Sequence, residues 1–301
     1  MDGILNVYKE KGYTSHDVVS ILRRLSSQKK VGHTGTLDPE AEGVLPICFG
    51  KATKTVEYIT GQDKQYKARL RLGITTTTED HTGEIIEQKE VDYNPIKIEE
   101  ALLSFIGEYQ QIPPMYSAIK IKGKKLYELA RQGKVVEREP RTVYIHRIEI
   151  IKWLPPWEVE FIVNCSKGTY IRTLCVDIGE KLGCGGHMSA LMRTQVGDFQ
   201  LNNSLTLEQI KEKIKTQPFD QLLMPIPVLF ENYPKVYVRS SADKSLLNGH
   251  TIYAPGLDVE RSRGLQEGIV GVYTSHGVFV GLYQSIQEQN QVGYKPVKIL
   301  I

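Results

Sequence analysis

Residues 32–46 read GHTGTLDPEAEGVLP, placing Asp38 directly before Pro39 in a run that carries three glycines. Glycine lets the backbone turn tightly and approach a ligand closely. The proline biases Asp38 towards an extended conformation and fixes the direction in which the loop leaves it. A carboxylate held this way can act as a nucleophile or a base. The same dipeptide also makes an ordinary Asp-Pro turn. Other chemistries are excluded by inspection. The chain has no G-x-x-x-x-G-K-[ST] phosphate loop and no G-x-S-x-G elbow. Its four cysteines, Cys48, Cys165, Cys175 and Cys184, form no C-x-x-C pair, and its seven histidines form neither H-x-E nor H-x-x-x-H. Zinc deaminase and metal-site readings therefore lack support. The cysteines read as buried free thiols, and the expected chemistry needs no metal and no cofactor.

The elements that must position Asp38 can be read from periodicity. Thr14 and Ser15 cap a helix whose apolar face carries Val18, Val19, Ile21, Leu22 and Leu25, with Asp17 favourably placed in the first turn. Residues 31–50, rich in glycine and turn formers, read as a loop. From Tyr66 the chain alternates strictly, with Tyr66, Ala68, Leu70, Leu72 and Ile74 on one face and Lys67, Arg69 and Arg71 on the other, as in a half-buried strand with a basic outer face. Residues 97–107 predict a short helix. VYIHRIEIIKWL and WEVEFIVNC predict strands, and Ile171, Leu174, Ile178 and Leu182 have helical spacing. Strands and helices mix without a βαβ rhythm, so the class is α+β with a mainly antiparallel sheet flanked by helices. LLMPIPVLFENYP reads as a linker between a domain at 1–228 and a small β domain at 235–301.

A chain of 301 residues, 41% hydrophobic and 24% charged, has the composition of a globular protein of about two domains. No stretch approaches the ~18 apolar residues of a membrane span, and the first residues lack the apolar core of a signal peptide. A cytoplasmic protein without a membrane partner is expected. The net charge of +3 conceals a strong local bias: residues 119–147 hold nine Lys/Arg against three Glu, while 79–108 hold nine Asp/Glu against two Lys. The basic stretch suits a polyanion, and a solvated helix face beside an acidic neighbour would also account for it.

A resemblance extends these readings. KKVGHTGTLDPEAEGVLPICFGKATK resembles the signature of the TruB family of tRNA pseudouridine synthases. NVYKEKGYTSHDVV is similar to the family's opening motif and DKQYKARLRLG to its tyrosine-bearing strand. IPPMYSAIKIKGKKLYELARQGKVVEREPR is similar to its RNA-gripping insertion, and SKGTYIRTLCVDIGEKLG and ALMRTQVGDF to later active-site segments. These cover residues 5 to about 200 in the family's order. One departure is that Lys9 is followed by Glu10 where the family usually has Lys-Pro. YVRSSADKSLLNGHTI and VGYKPVKIL resemble, more weakly, the small RNA-binding β domain called PUA.

The resemblance implies the pseudouridine synthase fold and the isomerisation of uridine 55 in the T loop of tRNA by base flipping, without a guide RNA. It implies that Asp38 is the catalytic aspartate, that Arg172 pairs with it, and that Tyr66 stacks on the extruded uracil and is suited to proton transfer. His33 would fill the space left by the flipped nucleotide, and Tyr170 and Leu191 would line the base pocket. Residues 119–147 would form the insertion that closes over the T arm, with Lys120, Lys122, Lys124, Lys125 and Arg131 as phosphate contacts. The residues alone make Tyr66 and Leu191 ordinary core and Arg172 a cation opposing a helix dipole. The implied partner is the T arm and elbow of tRNA, met by a monomer without a protein partner, with a tRNA-folding role alongside. Three alternatives stand beside this reading: the guided catalytic subunit of a ribonucleoprotein, a non-catalytic RNA chaperone, and a retaining glycosidase using Glu40 and Glu42.

Overall fold

The computed structural model describes residues 1–121, 123–288 and 291–301, so Lys122 lies outside the described residues. The first strand, β1 (Gly3–Lys9), leads into helix α1 (Ser15–Leu25), where Thr14 and Asp17 form a reciprocal capping box. Val18, Val19 and Leu22 are buried and Ile21 and Leu25 half-buried, as the 3.6-residue period requires. Residues 31–50 correct the loop reading, because β2 (Val31–His33) and β3 (Glu42–Phe49) bracket a shorter loop of eight residues, 34–41. Glycine content hid β3, a strand whose last seven residues are all buried and which therefore does not alternate.

Helix α2 (Val56–Thr60) precedes β4 (Lys64–Leu72), the strand seen in the alternation from Tyr66. The small sheet of β5 (Ile74–Thr76) and β6 (Ile85–Gln88) comes next, then α3 (Pro95–Leu103) and β7 (Gly107–Gln111). The basic stretch holds β8 (Lys120–Ile121), β9 (Lys124–Lys125) and α4 (Leu126–Ala130). Its last residues, 141–147, belong to β10 (Arg141–Leu154), a strand of the main sheet. There follow β11 (Glu158–Cys165), α5 (Ile171–Lys181), β12 (Gly186–Val196), β13 (Phe199–Gln200) and α6 (Leu207–Lys213). The main sheet runs β1-β3-β12-β4-β11-β10-β7, with β2 on β3 and β13 on β12. The pair β3–β12 is parallel and the other pairs are antiparallel, which bears out the α+β, mainly antiparallel expectation.

Apolar side chains of β4, β10 and β11 meet α3 and α5 in one core, which contains Leu70, Phe161, Leu102 and Leu174. A second core joins β1 and β3 to α1 and α6 through Leu5, Ile47, Leu22 and Ile210. The four cysteines are free and buried, as expected. Among the described residues no helix is long and apolar enough to cross a membrane.

The C-terminal part holds β14 (Lys235–Val238), α7 (Asp243–Leu247), β15 (Ile252–Tyr253), β16 (Leu257–Asp258), β17 (Ile269–Tyr273), β18 (Phe279–Glu288) and β19 (Gln291–Ile299). They form a second sheet, ordered β15-β19-β18-β17-β14-β16. The proline-rich segment before it is no free linker. Met224 and Ile4 exchange backbone hydrogen bonds of 2.9 and 2.8 Å, and Ile226 and Phe230 are buried with Val44, Cys48, Phe279 and Leu282 in a core shared by both parts.

Candidate active site

Loop 34–41 carries Asp38, and hydrogen bonds from surrounding backbone and side chains hold it at Thr34, Leu37 and Pro39. The Thr34 N–H and hydroxyl both donate to Pro46 O, and the Thr34 carbonyl accepts from the Thr60 hydroxyl at 3.0 Å. The Leu37 N–H donates to Ser15 Oγ at 2.9 Å, and Ser15 Oγ–H donates back to Leu37 O. Pro39 O accepts from the Gly12 N–H at 3.0 Å and from the Lys9 ammonium at 3.1 Å. Lys9 is fully buried, and its other two hydrogen bonds go to Glu10 O and Tyr13 O. The ammonium thus ties the turn that follows β1 to the Asp38 loop. Gly43, just past the loop, has a φ of +108°, and a Cβ there would lie 2.2 Å from Arg193 O, so the crossing of β3 and β12 requires glycine.

Above this frame the Asp38 carboxylate meets Arg172, with Oδ2 3.1 Å from Nε. The two side chains differ in exposure, 40% for Asp38 and 7% for Arg172, so the carboxylate reaches solvent while the cation is enclosed. Arg172 sits in the first turn of α5, where the helix dipole disfavours a cation by ~0.3–1 kcal/mol. Three acceptors offset this cost: Asp38, Thr78 O at 3.1 Å and Tyr116 O at 2.8 Å. The carbonyls fix the plane of the guanidinium, and the guanidinium in turn aims the carboxylate. Thr78 O is presented by a loop in which Glu79 has a φ of +65° and its half-buried carboxylate accepts from the Thr173 hydroxyl at 2.6 Å. Within the acidic stretch Asp80 is thus buried and Glu79 half-buried.

Tyr66 is buried among Ala68, Leu37 and Ala41 beneath the loop. Burial pushes its phenol above the usual tyrosine range, and the Arg193 cation opposes that shift. His33 accepts the Gly35 N–H on Nδ1 at 3.3 Å, which requires that nitrogen to be unprotonated. Burial, then the charges of Arg193 and His16, lower its pKa in agreement. Tyr170 is the residue before α5, and its backbone is clasped by the Gln111 amide at 2.7 and 2.9 Å. Burial raises its phenol, with Arg172 and Asp38 among the charges that act on it. Leu191 lies on β12 opposite Ala68 and packs against the same core as Tyr66.

Asp38, Arg172, Tyr66, His33, Tyr170 and Leu191 therefore gather around loop 34–41, as the candidate catalytic cleft. Among the described candidate phosphate contacts, Lys120, Lys124 and Arg131 are exposed on the insertion, and Lys125 is half-buried. Lys125 and Arg131 both lie against the Tyr127 ring, at 5.3 and 5.4 Å from its centre. The insertion is rooted beside Arg172, because Arg172 reaches Tyr116 O and the Tyr127 N–H donates to Ser117 O at 3.1 Å. Glu40 and Glu42 are engaged apart, Glu42 by the Tyr8 hydroxyl at 2.7 Å and Glu40 by His81 at 3.7 Å.

Lys9 and Arg193 were missed as functional residues by reasoning from motifs. The signal for Lys9 lies in the phase of the alternation, since it continues the inward set Leu5, Val7 on β1. Arg193 follows four half-buried residues on β12, and no alternation marks it.

Comparison with known proteins follows the same lines. Residues 23–171 match the family model described as TruB family pseudouridylate synthase (N terminal domain). Residues 172–231 match the tRNA pseudouridylate synthase B C-terminal domain. A tRNA pseudouridine synthase B of Alkaliphilus oremlandii is 56% identical over 84% of this chain and 84% of its own length. That of Lachnoclostridium phytofermentans is 50% identical over the full length of both. Among solved structures, one described as a Cbf5-Nop10-Gar1 complex is 28% identical with a TM-score of 0.73, covering 99% of this chain and 85% of its own. Another, of an H/ACA RNP bound to a substrate RNA containing 2'-deoxyuridine, is 27% identical with a TM-score of 0.72 and the same coverage.

Proposed function

This chain belongs to the TruB family and is a pseudouridine synthase, and we propose that it isomerises uridine 55 in the T loop of tRNA as a stand-alone enzyme, without a guide RNA. The observation that carries this reading is the Asp38–Arg172 pair at 3.1 Å, with the carboxylate open to solvent and the cation enclosed. Pseudouridine formation breaks the N1–C1′ bond, turns the base and joins C5 to C1′. The proton on C5 leaves, and N1 gains one. Asp38 either adds to C6 of the base or assists departure at C1′ and then takes the C5 proton. Arg172 holds it at the required angle in both routes. Tyr66 stacks on the extruded uracil, and stacking of ~1–3 kcal/mol helps offset unstacking from the T loop. Tyr170 and Leu191 line the base pocket, and His33 occupies the space the nucleotide vacates.

Residues 1–228 form the catalytic domain and 235–301 a PUA-like RNA-binding domain. Lys120, Lys124, Lys125 and Arg131 grip the T-arm backbone. The protein acts as a cytoplasmic monomer on tRNA, needing no protein partner and no cofactor, and a tRNA-folding role accompanies the isomerisation. The test is pseudouridine mapping of an unmodified tRNA transcript incubated with this protein alone. A reverse-transcription stop specific to pseudouridine at position 55 is the expected result. Tight binding without a stop, relieved by adding guide RNA and partner proteins, would instead assign the guided role.

A further inference from the structure

Beside the Asp38 loop lies a second buried guanidinium that takes no part in the Asp38 ion pair. Arg193 is 2% exposed, and among the described residues no carboxylate lies within ion-pairing distance of it. Its Nε donates to Val44 O at 2.7 Å and one terminal nitrogen donates to Gly35 O at 3.2 Å. A guanidinium taken out of water without a counter-anion is destabilising, and an apolar side chain of similar volume packs such a site better. The positive charge at this position therefore points to a role beyond packing.

The two acceptors lie on either side of the loop that carries Asp38, Gly35 before it and Val44 after it. In the pairing of β12 with β4, Arg193 stands directly opposite Tyr66, and in the parallel pairing with β3 it stands opposite Gly43. Directly opposed residues share one face of a sheet, with Cβ atoms ~4.5–5.5 Å apart. We infer that Arg193 is a positioning residue for the isomerisation, tying both ends of the Asp38 loop to β12 and holding a fixed positive charge against the phenol of Tyr66. The inference rests on reading the cleft as the site of uridine isomerisation. The reaction moves one proton from C5 and delivers one to N1. A phenol beside a fixed cation releases a proton more readily than one enclosed by apolar groups alone. Burial raises the Tyr66 phenol and Arg193 works against it, so the arginine keeps this tyrosine usable in proton transfer. The neighbouring cations Lys9, Lys64 and Arg172 have other acceptors: Lys9 and Lys64 donate to backbone carbonyls, and Arg172 holds Asp38 together with Thr78 O and Tyr116 O.

The experiment compares Arg193→Met, Arg193→Lys, Tyr66→Phe and the Arg193→Met/Tyr66→Phe double variant with wild type. Saturating single-turnover rates on an unmodified tRNA transcript are measured across pH, together with tRNA affinity and cooperative thermal unfolding. Arg193→Met should slow the saturated rate by about 10²-fold, the scale of a misplaced catalytic group, with tRNA affinity within about threefold of wild type. The rising limb of its pH–rate profile should move to higher pH. In the Tyr66→Phe background the same substitution should leave any limb where it is. Arg193→Lys keeps the charge but loses the fork that reaches two carbonyls, so it should be slower than wild type with the limb unshifted. A wild-type rate for Arg193→Met overturns the inference. So does an equal slowing at every pH in both tyrosine backgrounds, because that is a structural effect only. If Arg193→Met does not unfold cooperatively, Arg193→Lys decides by itself, and an unchanged saturated rate overturns the inference. Wild type that makes no pseudouridine would refute the functional reading and not the role of Arg193 within it.

Discussion

The cleft and the basic insertion are both rich in cations and use them in opposite ways. In the cleft Lys9, Lys64, Arg172 and Arg193 are buried, and backbone carbonyls answer each of them. On the insertion Lys120, Lys124 and Arg131 face solvent, and Lys125 and Arg131 lean on the Tyr127 ring. A buried cation saturated by carbonyls cannot travel to meet a ligand, but it fixes backbone to within fractions of an ångström, as chemistry requires. An exposed lysine positions nothing, yet it releases counterions when a phosphate arrives. The difference separates the rate of the reaction from the affinity for RNA, and the two should be separable by mutation.

The largest effect should come from Asp38→Asn, which removes the reacting carboxylate while keeping its shape. Single-turnover isomerisation should fall by at least about 10³-fold, with tRNA affinity within about threefold of wild type. Arg172→Met should come next, with about 10²-fold lost from the saturated rate. It should also lower stability in urea by ~1–3 kcal/mol, because the Thr78 and Tyr116 carbonyls lose their donor. Gly43→Ala tests the frame alone. A Cβ 2.2 Å from Arg193 O must push β3 and β12 apart, costing at least ~1–3 kcal/mol by urea denaturation.

On the other side of the comparison, replacing Lys120, Lys124 and Lys125 together with glutamine should flatten the salt dependence of tRNA binding. The log–log slope should fall by about 0.7–0.9 for each phosphate that is no longer neutralised, with the saturated rate unchanged. An unchanged slope would make this stretch a solvated face. The smallest effect concerns His33. Its folded pKa lies below the ordinary ~6.5 because of burial, so the unfolded chain binds the proton more readily. The stability it contributes is complete above about pH 6.5 and is lost as the pH falls towards the folded value. His33→Gln should therefore lose less urea stability than wild type between neutral and mildly acidic pH. Identical losses would remove His33 from the pH response.

Much of this was legible in the sequence, for reasons that vary by element. Helix α1 announces itself through Thr14, Asp17 and its apolar stripe, and β4 through strict alternation from Tyr66, because local chemistry decides both. β3 was hidden, since its burial on both faces erases alternation and its glycine and proline look like a loop. The proline-rich segment read as a linker because prolines exclude regular helix, but Phe230 and Ile226 make it part of the core joining the two sheets. Asp38 was legible from its setting, and its pairing with Arg172 came from resemblance. No local pattern links residues 134 positions apart. Lys9 announces itself only when a charged residue is noticed in phase with buried ones, a signal that a charge count averages away, and no alternation on β12 announces Arg193.

The most direct test of the account is tritium release from a tRNA transcript labelled at C5 of its uridines, under single-turnover conditions, with wild type and Asp38→Asn at equal occupancy. Formation of the C5–C1′ bond expels that hydrogen, so release follows the chemistry itself. Wild type should release one equivalent, traced by mapping to position 55, and Asp38→Asn should bind the same tRNA and release none. Release by Asp38→Asn at a rate near wild type would contradict the assignment of Asp38 and, with it, the account of the cleft built around its loop.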